Sequence, residues 1–412
     1  MNIDAAIVDP KTYADDATLR AVFARVRQQD PVHWTVAEHY RPFWTVSKHA
    51  DIMEVERQPQ LFLNAPRTTL FTIDDERRTF EQTGGGTTLI RTLVHIDDPE
   101  HRALRSVTQS WFLPKNLHGL EQGLAALATA LVDKMAAMGG QCDFVKDVSV
   151  WYPLRVIMLI LGIPQSDEVK MLHLTQQIFG STDADMQREA DSTDLAPVVN
   201  ELFAYFSAIA ANRRANPTLD VASLIANAMI DGKPIGDMEL LSYYTIIITA
   251  GHDTTSSSMA GGLLALMQNP AELNKLRENP ELLTSAVDEM IRWTTPVRHF
   301  FRSATQDYVL RGKKIRAGDA LMMCYPSANQ DEDVFEQPEV FKVDRLTGKH
   351  IAFGYGPHLC IGQHLARMEL RALYKELLAR VEHIELAGQP KGVEATFVSG
   401  LKSLPIRYLV TG

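Results

Sequence analysis

The longest patterned stretch covers residues 239–268, where apolar side chains recur without a proline. It predicts a helix roughly 45 Å long at 1.5 Å per residue. From Tyr243 to Ala250 the stretch is apolar on nearly every side, the mark of a buried element. Shorter segments with helical spacing cover residues 17–29 (stopped by Pro31), 49–57, 100–112, 120–138, 156–161, 198–215, 280–294 and Gln363–Arg380. Strands are predicted at Phe43–Val46, Tyr308–Leu310 and 320–325, with a terminal strand or hairpin within 396–408. Strands and helices do not alternate regularly, so a doubly wound nucleotide-binding sheet is not expected. The pattern predicts a mainly α chain with small β-sheets (α+β). No repeat or low-complexity linker divides it, so residues 1–412 are read as one domain.

Composition narrows the picture. A chain of 412 residues is long enough to enclose a large cofactor, and a net charge of −10 argues against nucleic acid as a partner. Three scattered cysteines, Cys142, Cys324 and Cys360, form no disulfide framework and suit a reducing compartment. No basic leader precedes an apolar stretch at the N-terminus, and no apolar run reaches membrane-spanning length. A cytoplasmic protein with no membrane partner is expected.

Two segments break the pattern. Within the long helix stands Ala250-Gly251-His252-Asp253-Thr254-Thr255-Ser256-Ser257-Ser258. An acid and a row of hydroxyls in mid-core cost free energy unless they are hydrogen-bonded or useful. Taken alone, the run fits equally a kinked helix whose hydroxyls bond back to carbonyls. The second segment is Phe353-Gly354-Tyr355-Gly356-Pro357-His358-Leu359-Cys360-Ile361-Gly362. Its glycines and proline rule out regular structure, and the helical pattern resumes at Gln363. Cys360 therefore lies at the positive end of a helix, which favours a thiolate. No second Cys or His stands at zinc spacing, and a single thiolate suits an axial bond to haem iron.

This loop fits F-G-x-G-x-H-x-C-x-G and resembles the haem-binding loop of the cytochrome P450 family, a likeness that covers nearly the whole chain. Ala250 to Thr254 is similar to the family's A/G-G-x-D-T motif. Tyr152-Pro153-Leu154 and residues 250–258, 287–297, 325–335 and 362–366 resemble the α-terpineol-hydroxylating branch. The resemblance implies a fold that encloses haem b ligated by Cys360. It also implies a monooxygenase that places one atom of O2 in an unactivated C–H bond and reduces the other to water.

Several residue roles follow from the resemblance. Phe353 would shield the iron–sulfur bond, while Gly354 and Gly362 would let the backbone approach the macrocycle. Ala250 and Gly251 would leave a groove for dioxygen, Thr254 would hold a water or the bound oxygen, and Asp253 would relay protons. His101 and Arg105 share one helix face at i and i+4 and would join Arg302 and His358 on the propionates. Glu289 and Arg292 match the E-x-x-R pair, with Arg345 a possible third member.

The distal pocket is expected to be lined by Leu89, Leu93, Ile246, Thr249, Ala250, Val297, Phe397 and Val398. These are nearly all apolar and suit a monoterpenoid or an alkyl-substituted aromatic held by burial. No fused reductase or ferredoxin domain is expected, so electrons would come from a [2Fe–2S] ferredoxin served by an NAD(P)H-dependent reductase. Arg102, Arg105, Lys349, Arg367 and Arg371 would form its docking face. Two alternatives keep the haem: peroxide-driven or coupling oxidation, which does not need the Asp253-Thr254 relay, and a non-enzymatic haem-thiolate sensor.

Overall fold

The helix predicted over 239–268 extends over Asp237–Gln268 and forms the axis of the molecule. Asp237 and Glu239 in its first turn oppose the positive helix end. Helices Trp151–Leu161, Ala196–Ala215 and Leu283–Thr294 pack around it. This computed structural model describes residues 2–179, 183, 195–346 and 348–411. The main core includes Leu131, Phe206, Tyr244, Leu263, Met290 and Leu370, all nearly inaccessible. Tyr374 donates to the Met259 carbonyl at 2.6 Å, tying the helix Gln363–Arg380 to the axis.

A five-stranded sheet stands to one side, in the order Val32–Thr35, Phe43–Val46, Ala320–Cys324, His299–Ala304 and Phe62–Leu63. Only Phe43–Val46 and Ala320–Cys324 pair in parallel. A three-stranded sheet joins Val381–Leu386, Pro405–Val410 and Gln141–Asp143. The architecture is mainly α with small sheets, as the pattern predicts.

Several elements differ from expectation for physical reasons. The helix expected at 156–161 begins at Trp151, after a π-helical turn at Val145–Ser149, and the one expected at 100–112 ends at Gln109. Helix Ile73–Thr83 buries no residue, so it shows no apolar stripe to read. Helices Glu168–Phe179 and Pro270–Glu278 were also absent from the pattern reading. Strand His299–Ala304 is buried on both faces except at Phe300, which erases the alternation that reveals a strand. Strand Val381–Leu386 lies at a sheet edge and is mostly exposed.

Candidate active site

The cysteine loop is built by hydrogen bonds that fold it back on itself. Cys360 N–H donates to the Phe353 carbonyl at 2.9 Å, and Leu359 N–H to that of Gly356 at 3.1 Å. Gly356 has φ +70°, and a Cβ there would lie 2.3 Å from the Glu56 carbonyl oxygen, so no other residue fits this approach. Beyond the loop, Gly362 caps the helix Gln363–Arg380.

The expectation of a lowered thiol pKa is not met by the protein alone. Burial pushes the Cys360 thiol up. The amides of Gly362 and Gln363, with Arg105 and Arg367, pull the other way. The field is thus arranged for negative charge at sulfur, but desolvation outweighs it. A bound metal cation would reverse that balance.

Four nitrogen-bearing side chains gather beside the loop. His101 and His358 stack with ring centroids 3.9 Å apart. Arg105 donates to the Leu359 carbonyl at 2.6 Å. His358 is pushed down to about 2, first by burial, then by the charges of Arg302, His101 and Arg105. His101 Nε2 is buried without a partner among the described residues. Arg302 donates to Glu56 Oε1 at 2.6 Å, and the Tyr325 hydroxyl reaches the same oxygen at 2.7 Å. The Arg105 and Arg302 guanidiniums, with two imidazoles able to donate N–H and one orphaned ring nitrogen, fit a dianionic ligand edge such as two propionates.

Behind the loop, Glu289 and Arg292 are both fully buried and paired through 2.7 and 2.8 Å bonds. Arg345 joins Glu289 at 3.1 Å, as does the Lys342 amide. Arg292 also donates to the Asn329 carbonyl at 2.7 Å, and Asn329 Oδ1 accepts the Ile351 amide at 2.8 Å. A chain of satisfied bonds therefore leads from the helix Leu283–Thr294 to the segment that enters the loop.

The cytochrome P450 family model matches residues 24–410. The chain belongs to the cytochrome P450 family. It is 39% identical to cytochrome P450-terp of Pseudomonas sp. over 99% of this chain and 97% of that protein. It is 32% identical to linalool 8-monooxygenase of Pseudomonas putida, over 93% and 94%. The crystal structure of CYP108D1 from Novosphingobium aromaticivorans superimposes with a TM-score of 0.93 at 44% identity, covering 99% of this chain and 98% of that one. The protein is thus a P450 monooxygenase of single-domain fold, using cysteine-ligated haem b and O2. No helix among the described residues is long and apolar enough to cross a membrane.

On the opposite side lies the polar interruption of the long helix. Ala250 is exposed within an otherwise buried run, so the P450 helix is left uncovered at that point. Gly251 does not share that opening. A Cβ on Gly251 would lie 2.5 Å from Ile157 Cδ1, so this glycine serves the approach of helix Trp151–Leu161 instead. The Thr254 hydroxyl donates to the Ala250 carbonyl at 2.8 Å, a back-bond one turn down the continuous helix, and Thr254 remains half-buried. Asp253 Oδ2 is buried with no partner among the described residues. Its side chain borders a cavity of about 610 Å³ with Lys146, Gln176, Ser257 and Ser403.

The pocket residues divide by exposure. Leu89, Leu93, Ile246, Val297 and Phe397 are half-buried, whereas Thr249 and Val398 are buried. The Thr249 hydroxyl donates to Thr245 at 2.7 Å, so that residue presents helix core rather than open wall. Val297 and Val398 form an isolated β-bridge, joining the two segments.

The five basic residues do not form one exposed face. Arg102 is exposed but paired with Asp98 at 2.8 Å, and Lys349 is exposed. Arg105, Arg367 and Arg371 are half-buried. Arg367 pairs with Asp288 at 2.6 Å and lies 4.5 Å over the Phe353 ring. Glu56, Tyr325 and Asp288 were missed by the sequence reading, because no local motif reveals a partner so distant in the chain.

Proposed function

We propose that this P450 hydroxylates a compact hydrophobic substrate, a monoterpenoid or an alkyl-substituted aromatic, with electrons from a [2Fe–2S] ferredoxin and its NAD(P)H-dependent reductase in the cytoplasm. The gathering of His101, Arg105, Arg302 and His358 around one loop carries the reading. These four side chains would hold the haem propionates, and Cys360 would ligate the iron. When bound, the haem supplies oxygen activation for C–H hydroxylation. Phe353 shields the sulfur, with Arg367 fixing its ring. Gly354 and Gly362 keep the backbone close to the macrocycle, while Glu289, Arg292 and Arg345 lock the approach to the loop.

On the other side, Ala250 opens the groove. Thr254 releases its back-bond to hold a water, and Asp253 passes protons from the 610 Å³ cavity. The half-buried apolar residues Leu93, Ile246, Val297 and Phe397 favour a ligand held by burial rather than by polar contacts. A relative whose name gives linalool as its substrate supports the terpenoid class. Exposed Arg102 and Lys349 are the outer members of a ferredoxin footprint, and Arg105 and Arg367 contribute field at the sulfur.

Titration with monoterpenoids, alkylbenzenes, fatty acids and steroids tests the substrate class through the ferric spin shift. Monoterpenoids or alkylbenzenes are expected to move the spectrum. A response to fatty acids or steroids alone would overturn the assignment.

A further inference from the structure

His252 occupies the variable position between Gly251 and Asp253, and its ring is wholly inaccessible. It sits where three elements meet. Nε2 lies 2.8 Å from the carbonyl of Val150, just before helix Trp151–Leu161. A carbonyl only accepts, so Nε2 carries the hydrogen, and in that tautomer the lone pair stands at Nδ1. Two groups face that lone pair: Thr175 Oγ1 at 3.1 Å, from helix Glu168–Phe179, and Asp253 Oδ1 at 3.4 Å.

Only one hydrogen can occupy Nδ1 at a time. Thr175 has a second acceptor within reach, the Leu172 carbonyl at 3.0 Å. When Asp253 is protonated, its hydrogen can enter Nδ1 while Thr175 turns to Leu172. When Asp253 is ionised, the Thr175 hydroxyl takes the place. Neither state leaves the ring or the hydroxyl unpaired.

We propose that His252 is a positioning residue for Asp253, its Nδ1 accepting from the acid while Asp253 carries a proton and from Thr175 when it does not, so that the protonated carboxyl is held in place and released on ionisation. The proposal rests on the proton-relay reading of Asp253. The proton that leaves Asp253 moves toward Thr254 and is replaced from the adjoining cavity. The arrangement also ties the acid to the helix that carries Thr175.

Two side-chain swaps separate the ring's two edges. His252→Gln keeps a donor for Val150 and lacks the Nδ1 acceptor, whereas His252→Asn places a polar atom where Nδ1 stood. With linalool as probe and a reconstituted ferredoxin system, product per electron should fall about tenfold in His252→Gln, the effect of one lost hydrogen bond. His252→Asn should retain most of the coupling, and Thr175→Val should fall between the two. Equal coupling in all variants, with Thr254→Ala still uncoupled, would overturn the role of His252. If Thr254→Ala also stayed coupled, the relay reading beneath it would fail. Nitrogen NMR of the ring needs no substrate. Wild-type protein should show hydrogen at Nε2 and a bare Nδ1 whose shift moves in Thr175→Val, and the opposite tautomer would also overturn the proposal.

Discussion

The cysteine side and the oxygen side of this P450 solve opposite problems with similar residues. Around Glu289 nearly every polar atom has a partner: Arg292, Arg345 and the Lys342 amide converge on one buried carboxylate. Around Asp253 a carboxyl oxygen is buried with no partner among the described residues, beside a cavity of about 610 Å³. Satisfied groups hold a shape, because any displacement orphans a buried charge. An unsatisfied group is available for exchange with whatever enters. The teaching is that burial alone does not distinguish scaffold from machinery. Between these two carboxylates, the completeness of the hydrogen bonding does.

The largest effect expected from breaking this comparison is at the sulfur. Cys360→Ser should leave the helical circular-dichroism signal intact while abolishing both turnover and the red-shifted absorbance of the reduced, carbonyl-bound protein. Retention of that band would show that another group ligates the iron.

Next comes the scaffold itself. Arg292→Met leaves Glu289 buried with less compensation and should cost about 3–5 kcal/mol. Denaturant melts and the haem-to-protein absorbance ratio should fall together. A variant with normal haem content would place the network outside cofactor retention.

On the exchange side the pattern should invert. Thr254→Ala removes one helix back-bond, worth about 0.5–1.5 kcal/mol, yet should divert most electrons to hydrogen peroxide. Stability and product yield are thus expected to separate, and unchanged product per electron would remove Thr254 from the relay.

The effect that is smallest at neutral pH concerns His299, whose Nε2 accepts the Leu70 amide at 3.0 Å. Burial lowers its pKa to about 3, against an ordinary value of 6.5. Between those values the unfolded chain binds a proton that the folded one refuses, so stability falls as pH drops through that window. His299→Gln keeps an acceptor without titrating. Its melting temperature should therefore depend less steeply on pH from about 6.5 down to about 4. An unchanged slope would mean that other groups dominate.

Much of this was legible in the chain. The long helix, the loop around Cys360 and the E-x-x-R spacing each leave a local signature, since turn chemistry and helical periodicity act over a few residues. The pairing of Arg302 with Glu56 leaves none, because the partners lie 246 positions apart. Gly251 misled for a related reason: a glycine signals close approach without saying what approaches, and Ile157 rather than an oxygen groove faces it. The basic face misled because charge in sequence says nothing of exposure, and Asp288 draws Arg367 inward.

Val297 and Val398 touch through a single bridge, although a hundred residues separate them along the chain. Neither belongs to a longer strand, so this bridge is what joins their two segments at that point. A change in width at one alters the seat of the other, and substitutions there should therefore be inherited as matched pairs. Divergence in ligand choice among descendants of this protein would then be traced most readily by comparing those two positions together.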